Sequence, residues 1–133
     1  IAVERVPLAE ISRYGVIRPK RLGGNVYEIL DLVEKPASGE APSDLAVIGR
    51  YVLTPDLFPV LAGTPPDARG EIQLTNGLRA LCKKRPLYAV LFEGKRYDTG
   101  DKLGFLKATV EFALTRPDLA EAFRAYLRTL RLD

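Results

Sequence analysis

The spacing of apolar and polar positions changes along the chain, from short strand-like runs at the start to helical stripes at the end. Residues 1–6 and 14–18, the latter Tyr-Gly-Val-Ile-Arg, predict short strands joined by a polar turn. Gly23-Gly24-Asn25 marks a turn, and a strand follows through Val26–Glu34. Pro36 ends that strand because proline has no N–H to give a sheet ladder. A loop rich in Pro, Ser and Gly covers 36–44, and the apolar run Leu45–Leu53 predicts a buried strand. Thr54-Pro55-Asp56 has the form of a helix start, with a hydroxyl cap before a proline, and this helix ends near Gly63. After a loop over 64–70, a helix is predicted over about 73–84, with Leu74, Leu78 and Leu81 on one face. Leu87–Phe92 predicts another strand. Asp98-Thr99-Gly100-Asp101 leads into a helix aligning Leu103, Leu106, Val110 and Ala113. Pro117 punctuates, and a last helix aligns Leu119, Phe123, Leu127 and Leu130.

This order predicts an α/β protein with a mixed sheet flanked by helices. At 133 residues the chain suits one domain with a real core, and its closing helices fall at about 101–131. Because it opens at Ile1, directly in a strand-like Ile-Ala-Val, it reads as a piece of a longer protein. No apolar run approaches the roughly 20 residues of a membrane span, so no membrane partner is expected. The single Cys82 forbids an internal disulfide and suits a reducing, cytoplasmic setting, where it fills a core or half-buried position. The chain contains no histidine, which removes Ser-His-Asp triads and histidine metal sites. A net charge of +3 is mild, and its densest basic cluster, Lys83-Lys84-Arg85, closes a helix where cations suit the dipole. Aromatic residues do not interleave with a basic strip, so no nucleic-acid partner is expected. No G-x-G-x-x-G or Walker sequence is present to cradle a nucleotide triphosphate.

Three stretches could carry chemistry, and each also has a plain structural explanation. Val33-Glu34-Lys35-Pro36 places a charged pair at the end of an apolar strand. It is either a solvated strand end or a carboxylate and an ammonium at the mouth of a sheet, where α/β proteins bind ligands. Neighbours on a regular strand point to opposite faces, so both could meet one ligand only if the strand twists or breaks there. Tyr97-Asp98-Thr99-Gly100-Asp101 is a helix start, or Asp98 is a ligand for a hard cation such as Mg²⁺. Gly70-Glu71-Ile72-Gln73-Leu74-Thr75 is a polar helix entry that capping explains as well as ligand binding does. Gly15, in a strand, permits a bulge or a close backbone approach to a ligand.

Taken in order, these stretches form a more specific pattern. Ser12–Val16, Val33–Pro36, Ala46–Leu53, Thr64-Pro65-Pro66, Gly70–Thr75 and Tyr97–Gly104 together resemble the bacterial UTP–glucose-1-phosphate uridylyltransferases. The likeness is strongest from 12 to 115 and covers only the carboxy-terminal half of such an enzyme. It implies the C-terminal part of a nucleotidyltransferase, Rossmann-like fold, carrying the sugar-phosphate side of the site. By resemblance, Gly15 approaches glucose through its backbone, Glu34 binds sugar hydroxyls, and Lys35 contacts phosphate as the catalytic cation. Val47 and Gly49 line the sugar pocket, Glu71 is a sugar or indirect contact, and Asp98 is one of two aspartates on Mg²⁺. Asn76 stands where an aspartate is more usual.

The implied reaction forms UDP-glucose and pyrophosphate from UTP and glucose 1-phosphate. The family's nucleotide-binding half has no counterpart in these residues, so the chain alone is expected to be inactive. The resemblance also implies a homo-oligomer. Two alternatives stay open: another sugar-1-phosphate nucleotidyltransferase, such as a thymidylyl enzyme, and a non-catalytic regulatory or assembly paralogue. The stretches Gly70–Thr75 and Gly49–Leu53 favour the uridylyl group.

Overall fold

The computed structural model describes residues 1–37 and 39–131. Strands β1 (Ala2–Arg5), β2 (Gly15–Gly23), β3 (Val26–Glu34), β4 (Leu45–Val47) and β5 (Leu87–Leu91) form a mixed sheet. Neighbours run antiparallel in the order β4–β2–β3–β5, and β1 pairs antiparallel with β4 and parallel with β5, so the ladder closes on itself. Inward side chains from all five strands meet in one core that includes Val3, Ile17, Ile29, Leu32, Leu45 and Ala89.

Helix α1 (Leu57–Ala62) and helix α2 (Leu74–Cys82) belong to the same unit, Ile1–Glu93. The leucine stripe of α2 behaves as its spacing predicts: Leu78 and Leu81 enter the sheet core and Leu74 packs at its edge. Two contacts staple α2 to β3. Arg79 donates to both oxygens of Asp31, at 2.7 and 2.8 Å, and the half-buried Cys82 thiol reaches the Ile29 carbonyl at 2.9 Å. Burial pushes the Cys82 thiol above its ordinary range, as suits a packing residue.

Within this first unit the structure departs from the predicted elements in four places. The polar turn before Tyr14 is a 3-10 helix, Leu8–Arg13, which buries Ile11 beside Val6, Val16 and Ala46. Strand β2 continues past Arg18 to Gly23 because a register shift at Arg18/Pro19 accommodates the missing proline N–H. The run Leu45–Leu53 is a strand only over Leu45–Val47. Gly49 takes φ +76° and interrupts the regular pairing, although the Arg50 carbonyl beyond it still accepts from the Ala2 N–H at 2.9 Å, and Val52 is exposed. Thr54 does not cap α1; the helix starts at Leu57, and the Thr54 hydroxyl is engaged with Asp56 and Arg85.

The second unit, Gly94–Asp133, holds helix α3 (Lys102–Thr115) and helix α4 (Ala120–Leu127). Asp101 caps α3, its carboxylate accepting from the Gly104 N–H at 2.8 Å. Gly104 is the one residue type that fits its place, since a Cβ there would lie 2.0 Å from the Asp98 carbonyl oxygen. Tyr97 is fastened to the same helix by its hydroxyl on Glu111 and by its ring against Phe112, centroids 5.7 Å apart. Lys95 and then Tyr97 hold the Glu111 carboxyl below the usual carboxylate range. The α3 stripe is less buried than its spacing predicts: Leu103 and Leu106 are exposed, and Ala108 is the buried position.

Two predictions follow from these packing contacts. The Arg79 fork, and then the Leu32 N–H, depress the folded pKa of Asp31 below the ordinary 3.8. The resulting stability is fully present above the unfolded value and is lost as pH falls through the folded one. With Arg79 half-exposed, it amounts to about 1 kcal/mol. Denaturant melts of Asp31→Asn should therefore lie below wild type at neutral pH and converge with it in strong acid; a constant gap would refute the linkage. Gly104→Ala gains about 1 kcal/mol of helix propensity, yet the clash with the Asp98 carbonyl should outweigh it by about 1–3 kcal/mol. Faster amide exchange across 98–104 is the expected readout, and slower exchange would disprove the close approach.

Candidate functional site

The end of β3 is where chemistry-bearing side chains collect. Lys35 follows the last strand residue, and its φ of +44° is the one left-handed backbone outside glycine among the described residues. A side chain of this size pays a steric cost for that conformation, so the surroundings must hold it there. The Lys35 N–H donates to the Tyr14 carbonyl at 3.0 Å, keeping the broken strand end against β2. The turn overcomes the alternation of a regular strand. Glu34 and Lys35 lie together, Nζ 3.7 Å from Oε1, where an extended chain would send them to opposite faces.

Glu34 is gripped from two sides. Its Oε2 accepts a 2.6 Å hydrogen bond from the Thr75 hydroxyl, in the first turn of α2. Gly15 is its partner across the β2–β3 ladder, and a Cβ on Gly15 would stand 3.1 Å from both Glu34 Oε2 and Thr75 Oγ1. Tyr51 adds a nearby phenol: burial first, then the Glu34 charge, raises its pKa above the ordinary value of 10.0. Sequence reasoning did not single out Thr75 or Tyr51. Both lie within the quoted stretches, but their meeting with Glu34 depends on how α2 and the segment after β4 fold back.

Glu34 and Lys35 line an open cleft of about 380 Å³ together with Asp67, Arg69, Gln73, Asn76 and Arg79. Its far wall is organised by Asp67. That carboxylate accepts from the Arg69 N–H at 2.8 Å, the Glu71 N–H at 3.0 Å and the Gln73 amide at 2.8 Å. The Glu71 N–H, the Gln73 amide and the Arg69 N–H, in that order, hold Asp67 below the usual carboxylate range. Glu71 touches the cleft indirectly, through a 3.1 Å bond from the Gln73 amide to its Oε2.

The other expected site residues fall elsewhere. Val47 is buried in the sheet core opposite Val3, and Gly49 forms the exposed turn after β4, with open space where a Cβ would be. Asp98 belongs to the second unit, in the loop before α3, where its Oδ1 accepts from the Gly100 N–H at 3.0 Å. Among the described residues no group of three or more acidic or cysteine side chains is assembled to hold a metal ion. The donor chemistry of Asp98 nonetheless fits one position on a hard cation, which commonly takes one or two carboxylates and fills its shell with phosphate oxygens and water. No described helix is long and apolar enough to cross a membrane.

Comparison with known proteins gives this site its context. A UTP–glucose-1-phosphate uridylyltransferase of Staphylococcus epidermidis is 46% identical over 130 residues, covering 98% of this chain and 45% of that protein. One of Bacillus subtilis (strain 168) is 49% identical over 127 residues, covering 96% and 43%. The crystal structure of a UDP-glucose pyrophosphorylase complexed with UDP-glucose superimposes with a TM-score of 0.82 at 49% identity, covering 87% and 44%. The chain thus spans less than half the length of the relatives it matches. The sequence profile of the nucleotidyl transferases matches residues 1–114, and on that ground the chain belongs to the nucleotidyl transferase family.

Proposed function

We propose that this chain supplies the sugar-phosphate side of a UTP–glucose-1-phosphate uridylyltransferase site, within the C-terminal part of a Rossmann-like nucleotidyltransferase fold. The observation that carries the reading is the break at Lys35, which brings a carboxylate and an ammonium to one cleft. Such a pair suits a ligand that is a polyol at one end and an anion at the other. Glu34 accepts from sugar hydroxyls, and Lys35 meets the phosphate. The Gly15 backbone closes on the glucose and Glu71 acts through Gln73, whereas Val47 and Gly49, which the resemblance puts at the sugar, stand apart from this cleft.

A phosphate oxygen of glucose 1-phosphate is ionised at neutral pH and needs no general base. It attacks the α-phosphorus of UTP in line; the new P–O bond gives UDP-glucose, and the broken one releases pyrophosphate. Lys35 offsets the charge that accumulates as the two phosphates approach, so catalysis is chiefly positioning and neutralisation. Mg²⁺, held in part by Asp98, would supply further neutralisation of phosphate charge when bound. UTP binding and the other aspartate lie outside this chain's residues in the proposal, and the working enzyme is a cytoplasmic homo-oligomer. The uridylyl reading is favoured over a thymidylyl one by the identity to the two uridylyltransferases.

In an enzyme joining this chain to the preceding segment of the Staphylococcus epidermidis relative, Lys35→Ala should lower kcat/KM for glucose 1-phosphate by about a hundred- to a thousand-fold. A variant within a few-fold of the parent would remove Lys35 from the mechanism. The 133-residue chain by itself should form no UDP-glucose from UTP, Mg²⁺ and glucose 1-phosphate. Turnover above a no-protein control would show that the chain needs no other half.

A further inference from the structure

A carboxylate that is to recognise sugar hydroxyls must be held still, and Glu34 is held by a residue with no direct claim on the ligand. Thr75 is buried, 8% exposed, and does not line the cleft. A threonine in the first turn of a helix ordinarily satisfies local backbone groups. This one instead spends its hydroxyl proton on Glu34 Oε2, 41 residues away in sequence, at 2.6 Å. The bond commits one carboxylate oxygen and leaves Oε1 as the oxygen beside Lys35 Nζ. Gly15 completes the arrangement, because its missing Cβ is the space in which Oε2 and the Thr75 hydroxyl meet.

Resting on the function proposed above, we infer that Thr75 is a positioning residue: its hydroxyl locks the Glu34 carboxylate so that the remaining oxygen faces the sugar of the bound sugar phosphate. Lys35 is spared this constraint. Its contribution is charge, which acts over a wider range of geometry than a hydrogen bond does. The lock therefore selects for the sugar and leaves phosphate recognition alone. A threonine serving only to pack α2 on the sheet would make no such distinction.

The test compares Thr75→Val, which keeps the shape and removes the hydroxyl, with Thr75→Ser, which keeps the hydroxyl. In the chain itself, the Glu34 side-chain carboxyl carbon should move in NMR spectra of Thr75→Val and stay in place in Thr75→Ser. An unchanged signal in Thr75→Val means that the lock does not exist. In the joined enzyme, Thr75→Val should raise KM for glucose 1-phosphate about ten-fold, the worth of one charge-assisted hydrogen bond. The KM for UTP and inhibition by inorganic phosphate should stay at parental values, and Thr75→Ser should restore the sugar affinity. Equal losses for sugar phosphate and inorganic phosphate, or no rescue by serine, would overturn the inference in favour of packing. If Thr75→Val is too unstable to assay, Thr75→Ala against Thr75→Ser decides by the same KM comparison. An inactive parent that nonetheless shows the NMR signature would count against the uridylyltransferase reading and not against the lock.

Discussion

The left-handed backbone at Lys35 is the constraint on which the site depends. An extended residue there would carry β3 one step further and send Glu34 and Lys35 to opposite faces of the sheet. The break is maintained by ordinary means. The Lys35 N–H is tied to Tyr14, Glu34 is anchored to Thr75, and Pro36 prevents the ladder from resuming. Strain of a few kcal/mol at one residue is typical of places where side chains must be aimed. Here the compensation comes from β2 and α2, and the rest of the fold can be read as the apparatus that keeps those two elements beside the end of β3.

Helix α2 bears most of that task. Leu78 and Leu81 fix its depth in the core, while Arg79 on Asp31 and Cys82 on the Ile29 carbonyl fix its rotation against β3. With the helix so placed, its first turn delivers Thr75 to Glu34, and the loop before it delivers the Asp67–Gln73 network to the opposite wall of the cleft. Packing and recognition are therefore not separate layers of the sequence. The residues Leu74-Thr75 belong to both, one packing at the core and the next holding the carboxylate.

Much of this was legible in the sequence, for identifiable reasons. The strands and the α2 stripe announce themselves because burial on one face imposes a period of two or of 3.6. Glu34 and Lys35 were identifiable as a pair by charge at an apolar strand end, and the need for a break was evident from alternation alone. What stayed hidden depends on distant backbone. The closure of the ladder through β1 and β5 has no local signal, since Ala2 and Val90 are far apart in the chain. The shortening of β4 hinges on one glycine φ, at Gly49, in a run whose composition favours a strand. Thr75 is hidden for a similar reason. Its sequence position predicts a cap, and only the fold shows the hydroxyl leaving its own helix for a strand.

The charge arrangement at the cleft also bears on how a ligand would be received. A buried, fully satisfied Glu34–Lys35 pair would be a poor binding site, because a ligand would have to break it. This pair is not of that kind. Lys35 is largely exposed, and Nζ stands 3.7 Å from Oε1, longer than a good charge-assisted hydrogen bond. Exposed pairs of this geometry contribute little, so a phosphate bound as proposed would take the ammonium at small cost. In the function proposed above, the carboxylate would then lose a weak partner and gain sugar hydroxyls, while its bond to Thr75 stays in place. The site thus separates a fixed anchor from an exchangeable one, placing the fixed anchor where directional recognition needs it and the exchangeable one where charge suffices.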